Sequence, residues 1–218
     1  MFCLIFYNCI VMLLIFIVIL LFLFIYKYLQ PTVVMSICGN VEDVKRVKQV
    51  WNGKLVVYDK CGYCKGLQDC RILPNVGREQ GTWVSYVLEN YDNLPREIIF
   101  LPAPIDNAGR FERFKKIING EIEKGSIIGP EEHFVLNEWK CSKLIPAEQR
   151  PFRTWFETNI APWYSSFPAI HWNGIMKTTR ENILQKPRKF YENLDRQLSV
   201  GKNTEVAHYM ERSMGIVF

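Results

Sequence analysis

Leu55-Val56-Val57-Tyr58, Gly77-Arg78-Glu79 and Glu97-Ile98-Ile99-Phe100-Leu101 are the stretches that decide the fold. The first and third are short apolar runs rich in β-branched residues, which reads as buried strand. Between them Gly77 opens a helical pattern through Trp83, Tyr86, Val87 and Asn90, and Asn93-Leu94-Pro95 breaks it. Pro102 and Pro104 end the second run, and Phe111, Phe114, Lys115 and Ile118 predict a further helix closed by Gly120. Strand, helix, strand, helix within about 65 residues is the order of a βαβ unit with parallel strands, so the class is α/β.

Working outward, Asn40 is placed to cap a helix through Trp51, with Val41, Val44 and Val47 at helical spacing. Asn52-Gly53 stops it. Residues 28–39 read as a linker. On the other side, 120–168 holds Trp139, Trp155 and Trp163 among several prolines and reads as a packed irregular region with short helices. Ala169 to Met176 is predicted as a strand. Thr178-Thr179-Arg180-Glu181 fits a capping box, Thr178 capping and Glu181 reaching back. Helices are expected to Gln185, from Pro187 to Leu198, and over 204–217. Residues 40–218 therefore make one α/β domain, with no internal repeat.

From Phe2 to Tyr26 no side chain is charged. A helix of that length rises roughly 35 Å, enough to cross a hydrocarbon core of about 30 Å. A cleaved signal peptide would start basic, be shorter and end in small residues. Here no Lys or Arg precedes Lys27, so residues 1–27 read as a single-pass membrane anchor. Lys27, Lys45, Arg46 and Lys48 follow the span, which favours a cytosolic domain. The net charge of +5 is spread without a dense run. It suits anionic headgroups or phosphorylated substrates, and no nucleic-acid module is present.

Of seven cysteines, Cys3 and Cys9 lie in the anchor, Cys38 and Cys141 are isolated, and Cys61, Cys64 and Cys70 cluster. C-x-x-C spacing suits a zinc ion, with Cys38, His133 or Cys141 as a distant fourth ligand, or a redox pair. A disulfide or free thiols are the alternatives, and zinc is the weakest of the three. A disulfide would place the domain in a lumenal or extracellular space, against the charge pattern, so the side of the membrane stays open.

Ligands of open α/β sheets sit beyond the carboxyl ends of the strands. After the first strand come Asp59 and Lys60, then the cysteine loop and Gly77-Arg78-Glu79. Gly77 lets backbone approach a ligand, the helix start offers N–H groups to an anion, and Arg78 adds a bidentate phosphate contact. Arg78 and Glu79 could equally cap and solvate a first turn. After the second strand come Asp106 and Arg110, and Asp106 could equally cap a helix. In the final helix His208, Glu211, Arg212 and Gly215 share a face. His208 with Glu211 makes an acid/base or metal-binding pair, or an ordinary charged surface. There is no G-x-S-x-G, P-loop, H-E-x-x-H or Rossmann glycine fingerprint. The D-x-D pair by which many nucleotide-sugar enzymes hold a metal is also missing, so oxygen ligands for Mn²⁺ or Mg²⁺ would come from scattered residues.

Three blocks together resemble a family of uncharacterised domains, the DUF3431 type of fungi, algae and large DNA viruses. The first runs from Leu55-Val56-Val57-Tyr58 through Asn75-Val76-Gly77-Arg78-Glu79 to Tyr86-Val87-Leu88-Glu89-Asn90-Tyr91-Asp92-Asn93-Leu94-Pro95. The second is Glu97-Ile98-Ile99-Phe100-Leu101. The third is Gly174-Ile175-Met176-Lys177-Thr178-Thr179-Arg180-Glu181-Asn182-Ile183-Leu184, with Pro187, Phe190-Tyr191 and His208-Tyr209-Met210-Glu211-Arg212. That family is similar to GT-A glycosyltransferases. The resemblance implies a GT-A/Rossmann-like αβα sandwich behind the transmembrane helix, moving a sugar from a nucleotide sugar to an unknown glycan or lipid acceptor, with Mn²⁺ or Mg²⁺ as the accompanying ion. It would make Glu211 and His208 the base or metal ligands, and Asp59 or Asp106 the contact to nucleotide or metal. Arg78 would bind phosphate, and Gly77, Glu79, Arg110, Arg180, Glu181 and Arg212 would line the substrate site. Where many relatives read Phe-Leu-Gln-Gly, this chain has Phe100-Leu101-Pro102-Ala103. The alternatives are a non-catalytic glycan- or partner-binding module at a membrane, and a zinc or redox module built on the cysteine loop.

Overall fold

The computed structural model describes residues 30–122 except 65 and 68, then 127–129, 143–163, 170–172 and 174–218, with Met12 and residues 15–21. Five strands form one mixed sheet: β1 (Thr32–Ile37), β2 (Leu55–Asp59), β3 (Cys70–Ile72), β4 (Glu97–Pro102) and, further on, β7 (Met176–Thr179). Their order is β3-β2-β1-β4-β7. The first four run parallel, and β7 pairs antiparallel to β4, Met176 opposite Phe100 and Thr179 opposite Glu97. A separate antiparallel pair joins β5 (Ile127–Gly129) and β6 (Ile170–Trp172).

Helices cover both faces, and the pleat explains why the strands read as unbroken apolar runs. Val34, Val56, Tyr58, Ile98, Phe100 and Met176 point into one core. It is closed by α2 (Arg78–Asn90), α4 (Phe152–Asn159), α6 (Arg188–Leu198) and α7 (Glu205–Val217). Their neighbours Val33, Met35, Ile37, Val57, Ile99 and Leu101 point to the other side. There α1 (Val41–Val50) and α3 (Arg110–Ile118) cover them, and Trp51 meets Phe114 edge to face at 6.5 Å. Residues buried on both faces lose the alternation that marks a half-exposed strand.

That loss conceals the central strand. The stretch read as a linker, 28–39, contains β1, every residue of which is buried. Thr32-Val33-Val34-Met35-Ser36-Ile37 is short and lacks polar alternation, so nothing in it separates a strand from a linker after the apolar amino-terminal run. β3 lies inside the cysteine loop and was likewise not expected. The strand predicted over 169–176 is two strands, β6 and β7, separated by Gly174 at φ +70°. The cap of α5 (Arg180–Leu184) is Thr179, whose hydroxyl accepts from Asn182 N–H. Thr178 is a buried strand residue that donates to the Phe218 carbonyl. The cap is thus Thr179 and not Thr178, and Glu181 does reach back, its carboxylate accepting from the Thr179 hydroxyl. Asn40 holds the cap position of α1 without a side-chain bond.

Among the described residues no helix is long and apolar enough to cross a membrane. The anchor expected over 1–27 lies largely outside them, as do Cys3, Cys9, His133, Trp139 and Cys141. Ile15 to Leu21 is helical with exposed apolar side chains.

Candidate functional site at the carboxyl edge of the sheet

The chain runs outward from β1 to β2 to β3, then returns to place β4 on the other side of β1. The strand order therefore reverses between β1 and β4, and the crevice beyond their carboxyl ends is where such sheets take ligands. A cavity of about 140 Å³ opens there, lined by Ser36, Cys38, Lys60, Arg78, Glu79 and Lys202 among others.

Its wall is the turn into α2. Gly77 and Arg78 both adopt left-handed backbone, φ +61° and +49°. For arginine that conformation costs about 1 kcal/mol or more, and such outliers gather at functional sites. A side chain at Gly77 would lie 2.8 Å from Leu198 Cβ, and Gly77 N–H donates to the Gly201 carbonyl at 2.8 Å. The end of α6 is thereby pressed onto the turn, which brings Lys202 to the cavity. Lys60 supports the turn from below. It is 9% exposed, and its ammonium donates to the carbonyls of Val76 and Arg78. Burial pushes its pKa down to about 8, partly opposed by the Glu79 carboxylate.

The final helix meets the same turn. Arg78 Nη1 donates to His208 Nε2 at 3.0 Å. A guanidinium has no lone pair to offer, so His208 is the neutral acceptor with its proton on Nδ1. Burial, then the Arg78 and Arg212 charges, push its pKa down to about 4. Arg212 Nη1 donates to the His208 carbonyl at 2.8 Å. Arg110 donates to the Pro104 carbonyl at 3.1 Å, and burial lowers its pKa against the opposing pull of Glu79 and Glu211. Glu79 lies 3.7 Å from Arg78 Nε, and a side chain on Gly174 would crowd Glu79 Oε1 at 3.3 Å and Pro102. The fold thus gathers Gly77, Arg78, Glu79, Arg110, His208, Glu211 and Arg212 from three distant stretches.

Four expected residues stand elsewhere. Asp59 is fully buried, and its oxygens accept from Cys61 N–H at 2.9 Å and Cys64 N–H at 2.8 Å, so it ties down the cysteine loop rather than meeting a nucleotide. Asp106 is exposed and paired with Arg46 at 2.8 Å, whose hydrogen bond, then charge, holds its carboxyl below the ordinary range; it makes no side-chain cap. Arg180 donates to the Leu94 carbonyl through Nε at 2.7 Å and through Nη2. Because β7 is antiparallel, Arg180 and Glu181 follow its end beside Glu97, at the amino edge of β4. The residue that block contributes to the site is Gly174, before the strand. Lys202 was missed: no periodicity or spacing marks it, and only the bond from Gly77 to Gly201 brings it in.

Cys38 pairs with Cys61, and Cys64 with Cys70. No thiolate of the loop remains for zinc. The first bridge joins the segments after β1 and β2, at the mouth of the cavity. Among the described residues no group of three or more His, Cys, Asp or Glu could hold a metal ion. Glu79, Glu205 and Glu211 are carboxylates near the cluster; Glu205 is fully buried and paired with Arg150 at 2.8 Å, and Glu79 and Glu211 feel guanidinium groups. The described residues therefore offer no preformed metal cage, and a Mn²⁺ or Mg²⁺ ion here would have to be held by one or two carboxylates, water and the phosphates of a ligand.

Comparison with known protein families, with characterised proteins and with solved structures finds no match. The resemblance described above rests on its residue blocks alone.

Proposed function

We propose that this cluster binds the diphosphate of a nucleotide sugar, and that the protein is a glycosyltransferase-like enzyme held at a membrane by residues 1–27. The observation carrying this reading is the strained Gly77–Arg78 turn at the switch point, with Lys60 beneath it and Lys202 across the cavity. Cations lining one small cavity suit the charge that develops on a departing diphosphate. The GT-A-like sandwich and the sugar donor come from the sequence resemblance. An anionic ligand would draw the Arg78 guanidinium from His208 and free the imidazole lone pair beside Glu211 for proton transfer. The paired cysteines favour a domain on the lumenal or extracellular side.

The full chain in detergent, heated with a panel of nucleotide sugars and with EDTA, tests the reading. A donor at about 100 times its dissociation constant should stabilise the fold by roughly 2.7 kcal/mol. Arg78→Ala should abolish that shift. One specific observation favours a non-catalytic module instead: His208 Nε2 is occupied by Arg78. Turnover with a bound nucleotide sugar would support the transferase; no shift with any nucleotide sugar, in a well-folded sample, would overturn it and select the non-catalytic glycan- or partner-binding module.

A further inference from the structure

A cavity of about 590 Å³ opens at the other end of the sheet, lined by Lys48, Trp51, Lys54, Asp69 and Arg71 with the turn between α1 and β2. Arg71 is committed to Glu89 at 2.5 Å and to the Tyr58 hydroxyl at 3.1 Å. Lys48 and Lys54 are exposed and enter no ion pair among the described residues. Asp69 offsets one of these lysines, so the lining keeps a small net positive charge around the hollow.

The position of that hollow matters more than its size. Val33 N–H donates to the Lys54 carbonyl at 2.9 Å, so the cavity adjoins the point where β1 enters the sheet. The turn is drawn tight by the Trp51 indole N–H donating to the same carbonyl at 3.3 Å. A side chain at Gly53 would strike Trp51 at 2.5 Å and Gln30 Oε1 at 2.8 Å, so Gln30 lies on the rim. The uncharged amino-terminal run ends at Tyr26. Four residues span at most roughly 14 Å. If residues 1–27 cross a bilayer, this end of the domain is held at headgroup depth.

We infer that this cavity seats the phosphate of an anionic lipid headgroup of that membrane, Lys48 and Lys54 supplying the charge. The inference rests on the membrane-anchor reading. Its consequence is orientation: the amino edge of the parallel strands faces the bilayer, and the Arg78 cluster at the carboxyl edge faces away.

The full chain in a non-ionic detergent would be titrated with dihexanoyl-phosphatidylglycerol, dihexanoyl-phosphatidylcholine and inorganic phosphate, reading thermal stability. Phosphatidylglycerol should stabilise at the lowest concentration, and the response should fade as NaCl is raised. The pair Lys48→Ser with Lys54→Ser should weaken it about 30-fold, and Lys48→Arg with Lys54→Arg should keep it. Equal response to the two lipids, or a wild-type response indifferent to salt, would overturn the proposal. An equal response to inorganic phosphate would make the ligand a soluble anion and overturn the lipid assignment. Carbonate extraction of membranes carrying the full chain separates the premise from the site. Release into the supernatant defeats the anchor, whereas retention without phosphatidylglycerol preference defeats the cavity alone.

Discussion

Lys60 offers a test of the site that needs no ligand. Its ammonium is buried under the Gly77–Arg78 turn, and its pKa falls from 10.5 to about 8 on folding. The sign follows from proton counting. Below pH 8 both folded and unfolded chains hold the proton, and the full burial penalty is present. Between pH 8 and 10.5 the folded chain releases the proton while the unfolded chain keeps it, so stability rises with pH. The whole effect is about 3 kcal/mol, at 1.36 kcal/mol per pKa unit, of which about 2 kcal/mol is realised between pH 7 and 9.5. With a urea slope near 2 kcal/mol per molar, the wild-type midpoint should gain about 1 M over that range relative to Lys60→Met. The comparison cancels other groups, including the buried phenols of Tyr58 and Tyr191, whose pKa values are raised by burial. It also cancels the pH-independent cost of leaving the Val76 and Arg78 carbonyls without their donor. Urea unfolding of both proteins at pH 7, 8, 9 and 9.5 is the assay. Parallel pH dependences would refute the buried-ammonium support of the turn.

Three further outcomes are expected. Arg78→Ala and Arg78→Gly both remove the guanidinium, but glycine relieves the left-handed backbone, so Arg78→Gly should be more stable than Arg78→Ala by about 1 kcal/mol in urea unfolding. Gly77→Ala should cost about 2 kcal/mol or more, from positive φ and the 2.8 Å clash with Leu198, and should drop the melting temperature by several degrees. Opening the Cys38–Cys61 bridge as Cys38→Ser with Cys61→Ser closes no loop across its 23-residue separation and should cost about 3 kcal/mol in the same assay.

Local chemistry made the helices legible. Val41, Val44 and Val47 mark α1, and Gly77 and Asn93-Leu94-Pro95 bracket α2. Pro187 precedes α6, and Thr204 caps α7 through Ala207 N–H at 3.1 Å. β2 and β4 were legible as apolar runs between turn signals. β1 was not, because burial on both faces removes its pattern and leaves a short segment that reads as a linker. The Gly77-Arg78-Glu79 turn was readable as a ligand loop, since glycine at a helix start has a physical reason. Asp59 was misplaced because sequence shows a carboxylate after a strand but not the two N–H groups that occupy it. Arg180 and Glu181 were misplaced because strand direction is not written locally: the same residues after a parallel strand would have stood at the site. Cys38–Cys61 was invisible without β1 and β2 side by side, an adjacency that the linker reading of 28–39 had removed.

That adjacency bears on how the domain carries mechanical load. If residues 1–27 are fixed in a bilayer, any pull between membrane and domain enters through β1, directed along the strand. β1 is hydrogen-bonded on both sides, to β2 and to β4, in parallel register. A force along its axis must shear both ladders together, whereas a tether on an edge strand such as β3 would peel one bond at a time. The Cys38–Cys61 bridge then locks the far end of β1 to the segment after β2. Such a tether would pull on the strand that is hydrogen-bonded on both sides, so load would be shared across two ladders and not taken one bond at a time.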